Sequence, residues 1–148
     1  MTRKSARELA VRLVYSSSLT GDISEEAVDT FFEGEHYMSL QDEDTVFTQK
    51  PNDKQISYIK GIVFGVFENR EAIDENISRF SKAWKLDRIS KTALAVLRCA
   101  MYEMMFMDDI PDGVAINEAV EISKGYEEAE TTAFINGVLG SYSRSREQ

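Results

Sequence analysis

The chain has 148 residues, 43% of them hydrophobic, and a formal net charge of -9 at pH 7, which predicts a folded domain rather than a disordered chain. One cysteine and one histidine exclude an intrachain disulfide and a zinc site built from those residue types. The longest strongly apolar run, 62–67, is far too short to span a bilayer, so we expect a cytoplasmic protein without a membrane segment.

The amino-terminal stretch predicts an amphipathic helix over residues 3–18. At 100° per residue its apolar side chains fall on one face, and Tyr15 falls on the opposite, polar side. The stretch is basic although the chain as a whole is acidic, because it contains four cations and a single acid, Glu8. The cations are Arg3, Lys4, Arg7 and Arg12.

The next segment is strongly acidic, with nine Asp and Glu residues between positions 19 and 50 against Lys50 alone. Within it we predict a second helix over residues 24–33, with Val28, Phe31 and Phe32 as its buried side chains. Residues 34–52 are polar and irregular and predict a long connection. Residues 1–50 thus comprise the amino-terminal helices and an acidic loop.

A long amphipathic helix is predicted to follow. Asn52–Gln55 has the Asn-x-x-Gln shape of a helix start, a variant of the capping box. Apolar residues then recur at spacings of three and four from Ile56 to Phe80, and a break near residue 69 is left open. Gly61 and Gly65 on this helix would let a neighbouring helix approach closely.

Three more helices are predicted in the carboxy-terminal region. Their ranges are residues 89–107, 113–125 and 131–142, and the tail 143–148 is expected to fray. No stretch alternates as a strand would, so the predicted fold class is all-α. Residues 53–148 form the central helix and the carboxy-terminal bundle.

Catalytic patterns are absent from the sequence. It has no glycine-rich phosphate loop, no Ser/His/Asp set and no zinc-protease motif. We expect His36 to lie on the solvated surface and Cys99 to be an inert core thiol. The prediction is a protein that is not an enzyme and that carries no catalytic residue, metal or cofactor.

Four blocks, in order along the chain, resemble the NusB family of bacterial transcription antitermination factors. The blocks are Ala6–Ser16, Trp84–Ser90, Leu97–Glu103, and Ile110–Lys124 together with Phe134–Leu139. The resemblance covers nearly the whole chain except residues 19–52. It implies a single NusB-like helical domain over residues 1–148, made of two small bundles that share a long central helix.

The resemblance also implies a function. It implies binding to the boxA RNA of ribosomal-RNA transcripts together with the small-subunit ribosomal protein NusE. That complex would join the RNA polymerase antitermination complex and suppress premature termination. Some relatives self-associate, so a homodimer is left open. Two alternatives remain: a protein-interaction or assembly factor with the same fold and weak or no RNA binding, and an RNA-modifying enzyme or its detached targeting domain.

The resemblance assigns RNA binding to two sets of residues. The first is the basic first helix with Arg3, Lys4, Arg7 and Arg12, whose cations would contact phosphates. The second set is Tyr126, Glu130 and Phe134, where an aromatic ring could stack an unpaired base. Tyr15 and Glu130 match positions at the protein partner. Ordinary surface or core roles remain as alternatives, above all for Phe134, which could be core, and for Glu130, which could be an acid at the start of the last helix.

Further signature positions are expected to be structural. They are Arg98, Glu103, Asn117, Glu118 and Asn136. A buried Arg–Glu pair and an asparagine bonded to the backbone would tie the carboxy-terminal helices together, and Asn136–Gly137 would permit close helix packing. The chain departs from the family at Ala93 and Leu94, where many members carry an acid and a base.

Overall fold

The computed structural model describes residues 2–21, 26, 28, 29, 51–82 and 84–147. The ordered elements of this part of the chain are helices, with no strand among them, which confirms the all-α prediction. The chain divides into two compact units, Met1–Phe67 and Glu68–Gln148.

The amino-terminal unit contains helix α1, Arg3–Thr20, and nearly all of helix α2, Asp53–Glu68. Thr2 caps α1 by accepting a hydrogen bond from the Ser5 amide at 3.0 Å. Gly21 ends the helix with a φ of 76°, a left-handed conformation that glycine adopts readily. The predicted apolar face of α1 is buried, and so is one face of α2. The buried side chains include Ala6, Leu9, Ala10, Leu13, Ile59, Ile62, Val63 and Val66.

The start of α2 confirms the capping box that the sequence predicts. The Gln55 amide donates to the Asn52 side-chain oxygen at 2.9 Å, and the Asn52 amide donates to the Gln55 side-chain oxygen at 3.0 Å. Two amides that a helix start would leave unpaired are thereby satisfied. Of the predicted helix 24–33, only Glu26, Val28 and Asp29 are described; they are helical, and Val28 is buried. Phe31, Phe32 and most of the acidic loop lie outside the described residues.

The long predicted helix is broken at Asn69, the alternative that the sequence left open. Asn69 has φ -110° and ψ 19°, and a new helix, α3, runs from Arg70 to Phe80. The boundary between the two compact units falls at this break, between Phe67 and Glu68.

The carboxy-terminal unit is built around its most buried helix. A 3-10 turn, Leu86–Arg88, leads into α4, Lys91–Phe106, which packs against α3 and against the two helices that follow it. Those helices are α5, Asp112–Lys124, and α6, Ala129–Arg146. The core of this unit includes Ile73, Ile77, Val96, Leu97, Met101, Ile135 and Leu139. Cys99 is buried on α4, and its desolvation, reinforced by the charge of Glu103, raises the pKa of the thiol.

Two expectations about packing are wrong. The tail does not fray from residue 143, because α6 continues to Arg146 and the Ser143 hydroxyl donates to Asp112 at 2.9 Å. Gly61 and Gly137 do not serve close helix packing, since a Cβ atom built at either would meet no atom within 4 Å.

Candidate nucleic-acid and protein interface

The four cations of α1 differ in how much of each side chain reaches solvent. Arg3 and Lys4 are exposed, and the Arg3 guanidinium lies 4.0 Å from the centre of the Tyr58 ring on α2. Arg7 is only 9% exposed, and Arg12 forms a 3.9 Å salt bridge with Glu8. A phosphate approaching this helix would therefore meet mainly Arg3 and Lys4. The equal role that the sequence predicts for Arg7 is at odds with its burial.

Tyr15 lies toward the end of α1 and is half-buried, although the sequence predicts an exposed ring. One turn later, Leu19 is 50% exposed. Positions four residues apart share a helix face, so the two side chains border the same surface. Leu19 is not among the residues that the sequence predicts to bind, although its spacing of four from Tyr15 indicates a shared helix face. Together they form a small apolar surface suited to a protein partner.

The second predicted RNA-binding set lies where α5 passes into α6. Tyr126 is 40% exposed, and Glu130 is exposed in the first turn of α6. Phe134 is half-buried and stacks on Trp84, with ring centres 4.4 Å apart and an angle of 24° between the rings. One face of the Phe134 ring is therefore covered by Trp84, while part of the side chain still reaches solvent. Trp84 belongs to one of the blocks that resemble the family, but the sequence gives no sign that its ring meets Phe134.

A shallow cavity of about 540 Å³ opens at the same junction. It is lined by Lys124, Gly125, Tyr126, Glu127, Glu128 and Thr131. Lys124 pairs with Glu121 at 2.9 Å, and Glu127 accepts a hydrogen bond from the Ser90 hydroxyl at 2.5 Å. The junction therefore combines acidic side chains, an aromatic ring and one paired lysine.

The signature arginine, Arg98, ties α4 to α3. Its Nε and Nη2 atoms donate to the two carboxylate oxygens of Asp74 at 2.9 and 2.8 Å. The sequence pointed to a glutamate as the partner of a buried arginine, whereas this pair is formed with an aspartate. Glu103 is buried at 3% exposure, and the Oε2 atom of Glu118 is buried without a hydrogen bond in the part of the chain that the structure describes.

The two signature asparagines, Asn117 and Asn136, are exposed and line one groove between α5 and α6. The groove has a volume of about 610 Å³, and Ile116, Val120 and Ala133 contribute apolar side chains to it. The sequence predicts an asparagine that is hydrogen-bonded to the backbone. In the structure, both side-chain amides instead border the open groove.

No three His, Cys, Asp or Glu side chains of the described part of the chain lie together as a metal site would require. None of the described helices is long and apolar enough to cross a membrane.

Comparison with known proteins gives one consistent result. The model of the NusB family matches residues 4–144. A relative named transcription antitermination protein NusB, from Acetivibrio thermocellus, is 45% identical over 140 residues, which are 95% of this chain and 87% of the relative. The crystal structure of T. maritima NusB superposes with a TM-score of 0.73 at 28% identity, covering 97% of this chain and 92% of the other. A structure of antitermination factors NusB and NusE in complex with dsRNA, 23% identical, shares the fold with a TM-score of 0.74, covering 97% and 96% of the two chains. The chain belongs to the NusB family.

Proposed function

We propose that the protein is an RNA-binding transcription antitermination factor. It binds boxA-type RNA of ribosomal-RNA transcripts together with ribosomal protein NusE, joins the RNA polymerase antitermination complex, and suppresses premature termination. The observation that carries the proposal is family membership over residues 4–144, with a 45% identical relative that bears the antitermination name. It acts by binding rather than by catalysis, in the cytoplasm, where the nascent transcript is made.

The charge distribution supports RNA contact at the start of α1. Arg3 and Lys4 are exposed there, and each cation that neutralises a phosphate releases a condensed counterion. Tyr15 and Leu19, on the same helix, are suited to the protein partner because they offer apolar area beside a hydroxyl.

A second candidate function has its own support. Arg7 is nearly buried and Arg12 is paired with Glu8, which leaves α1 two exposed cations in a chain of net charge -9. So few exposed cations would be consistent with a factor that binds NusE but has weak or no affinity for RNA.

The test is a titration of labelled boxA-type RNA by the full chain, with and without NusE, at several salt concentrations. We expect NusE to tighten binding, and we expect affinity to fall steeply as salt rises, because phosphate contacts release counterions. Lys4→Glu should weaken binding at 0.1 M salt by roughly ten-fold, since it replaces an attractive charge with a repulsive one.

The matched control is Arg144→Glu, which reverses the charge of an exposed cation near the end of α6. Arg7→Glu is the poorer probe, because it would place an acid at a nearly buried position. Equal losses in the Lys4 and Arg144 variants would contradict a site at the start of α1. Capture of NusE without any RNA binding would select the second candidate function.

A further inference from the structure

A basic stretch lies between α3 and α4, in a part of the chain for which no ligand has been assigned. We call Lys82 together with residues 84–91, the last of which begins α4, the basic linker. It contains four exposed cations against one acid, Asp87, in a chain whose net charge is -9. The cations are Lys82, Lys85, Arg88 and Lys91.

Within the described part of the chain, these cations have no acidic partner, unlike several other basic side chains. Arg12, Arg98, Lys124 and Arg146 each pair with an acid. None of the four linker cations forms a salt bridge within the described part of the chain. Their charges are therefore available to an outside partner.

The backbone of the basic linker is held in place by the carboxy-terminal unit. Ile89 is 5% exposed, and the Arg88 amide donates to the Lys85 carbonyl at 2.8 Å. The Ser90 hydroxyl accepts from the Ala93 amide at 3.1 Å and donates to Glu127 at 2.5 Å. A partner that binds here meets a preformed segment, so little backbone ordering opposes binding.

Aromatic surface adjoins the cations. Trp84 lies within the basic linker and stacks on Phe134 at 4.4 Å. Both rings are half-buried, so part of the pair reaches solvent. Aromatic rings beside a row of cations are the combination that single-stranded RNA uses, with bases stacked on rings and phosphates on lysine or arginine.

The neighbouring acids restrict how such a strand could lie. Glu127 accepts a hydrogen bond from Ser90 of the linker. Glu128 and Glu130, which follow Glu127 in the sequence, are exposed. Carboxylates repel phosphates but accept hydrogen bonds from base amino groups. The strand would therefore turn its phosphates toward the linker cations and its bases toward the rings and acids.

We propose that the basic linker and the Trp84–Phe134 pair form a second RNA-binding element. The cations contact phosphates of single-stranded RNA, and the ring pair stacks one unpaired base. An acidic peptide would satisfy the cations but has no use for the rings, so RNA fits the observations better. The inference rests on the RNA binding proposed above. It extends the predicted set that contains Phe134 by Trp84 and the linker cations, and it is separate from the start of α1.

The first measurement uses Trp84 as a reporter, because it is the only tryptophan of the chain. A single-stranded boxA-type RNA is titrated into the full chain while tryptophan emission is followed. Stacking of a base should quench the emission at the concentration at which labelled RNA binds. Poly-L-glutamate of equal charge is the comparison. Equal quenching by poly-L-glutamate, or RNA binding without any quenching, would overturn the stacking proposal.

The second measurement uses surface variants that leave the core intact. We expect Lys85→Gln combined with Arg88→Gln to lower RNA affinity at 0.1 M salt by on the order of ten-fold. The same double variant should reduce the salt slope by roughly 1.4, since single strands give about 0.7 per phosphate contact. Arg70→Gln combined with Arg144→Gln removes two exposed charges that lie outside the basic linker and outside the start of α1, and should leave both values nearly unchanged.

The outcomes separate this inference from the proposed function. If the unmodified chain binds RNA and the linker variant behaves like its control, the linker element is refuted while the proposed function stands. If the unmodified chain binds no RNA, alone or with NusE, both are refuted. Trp84→Phe keeps a ring and should retain more affinity than Trp84→Leu, which tests stacking apart from charge.

Discussion

At the residue scale, Arg98 shows what a sequence signature can and cannot predict. The family pattern marks it as structural, and its pair with Asp74 is largely buried, at 13% and 21% side-chain exposure. The two nearly parallel hydrogen bonds match the planar guanidinium to the carboxylate. Asp74 could not be chosen as the partner from sequence, because the pairing depends on how α3 lies against α4.

Asp74→Ala should destabilise the protein by about 2 kcal/mol, because it leaves a half-buried guanidinium without its two hydrogen bonds. The measurement is the midpoint of urea unfolding at pH 7. Arg98→Met combined with Asp74→Leu should recover much of the loss, since no unpaired charge then remains.

Glu121→Ala provides the comparison for this pair. It removes the partner of Lys124, whose side chain is 59% exposed, and should cost less than about 0.5 kcal/mol. Similar losses of stability for Asp74→Ala and Glu121→Ala would mean that burial of the Arg98–Asp74 pair adds nothing to its contribution to folding.

At the element scale, local signals predict the starts of helices better than their ends. The capping box at Asn52 and Gln55 involves residues three apart, so it can be identified in the sequence and is present in the structure. The end of α6 depends instead on Asp112, which lies 34 residues before Arg146. The sequence predicts fraying there because it cannot show a partner that only the fold brings near.

The end of α6 is held by contacts of Arg146. Its Nη2 atom donates to both oxygens of Asp112 at 3.0 and 3.1 Å, and its Nη1 atom donates to the Met104 carbonyl. The guanidinium also lies 5.1 Å from the centre of the Tyr142 ring. A hydrogen bond with Tyr142, aided by the charge of Asp112, raises the pKa of Arg146. One side chain thus joins α6 to the end of α4 and to the start of α5.

Arg146→Ala should therefore fray the last turn of α6. We expect amide hydrogen exchange at residues 143–146 to accelerate at least ten-fold, and overall stability to fall by about 1 kcal/mol. Arg144→Ala is the matched control, because the Arg144 side chain is exposed and, among the described residues, hydrogen-bonds only Ser141 of its own helix, at 3.2 Å. Unchanged exchange in the Arg146 variant would show that the last turn is stable without this side chain.

At the scale of the whole molecule, the net charge of -9 conceals two local excesses of positive charge. One lies at the start of α1, with Arg3 and Lys4 exposed, and the other is the basic linker. At physiological salt, charges farther apart than about 8 Å are largely screened, so these local groups and not the total decide whether a phosphate is attracted.

The fold was predictable from sequence to a greater extent than the candidate site was. Helix positions follow from apolar spacing, and the break at Asn69 was already an open alternative. The burial of Arg7 was not predictable, because a position at the edge of an apolar face can turn either way once the helix packs. The Trp84–Phe134 stack joins residues fifty positions apart and depends on the path of the linker.

The last prediction concerns the acidic background. Glu68→Gln combined with Glu71→Gln removes two exposed acids near the start of α3, neither of which belongs to the basic linker or to the start of α1. At 0.02 M salt this variant should bind RNA about two- to five-fold more tightly, because long-range repulsion is reduced. At 0.2 M salt the gain should vanish, because the Debye length then falls below about 8 Å. The measurement is RNA anisotropy at both salt concentrations. A gain that persists at 0.2 M would place these acids in direct contact with the strand and contradict a purely long-range effect.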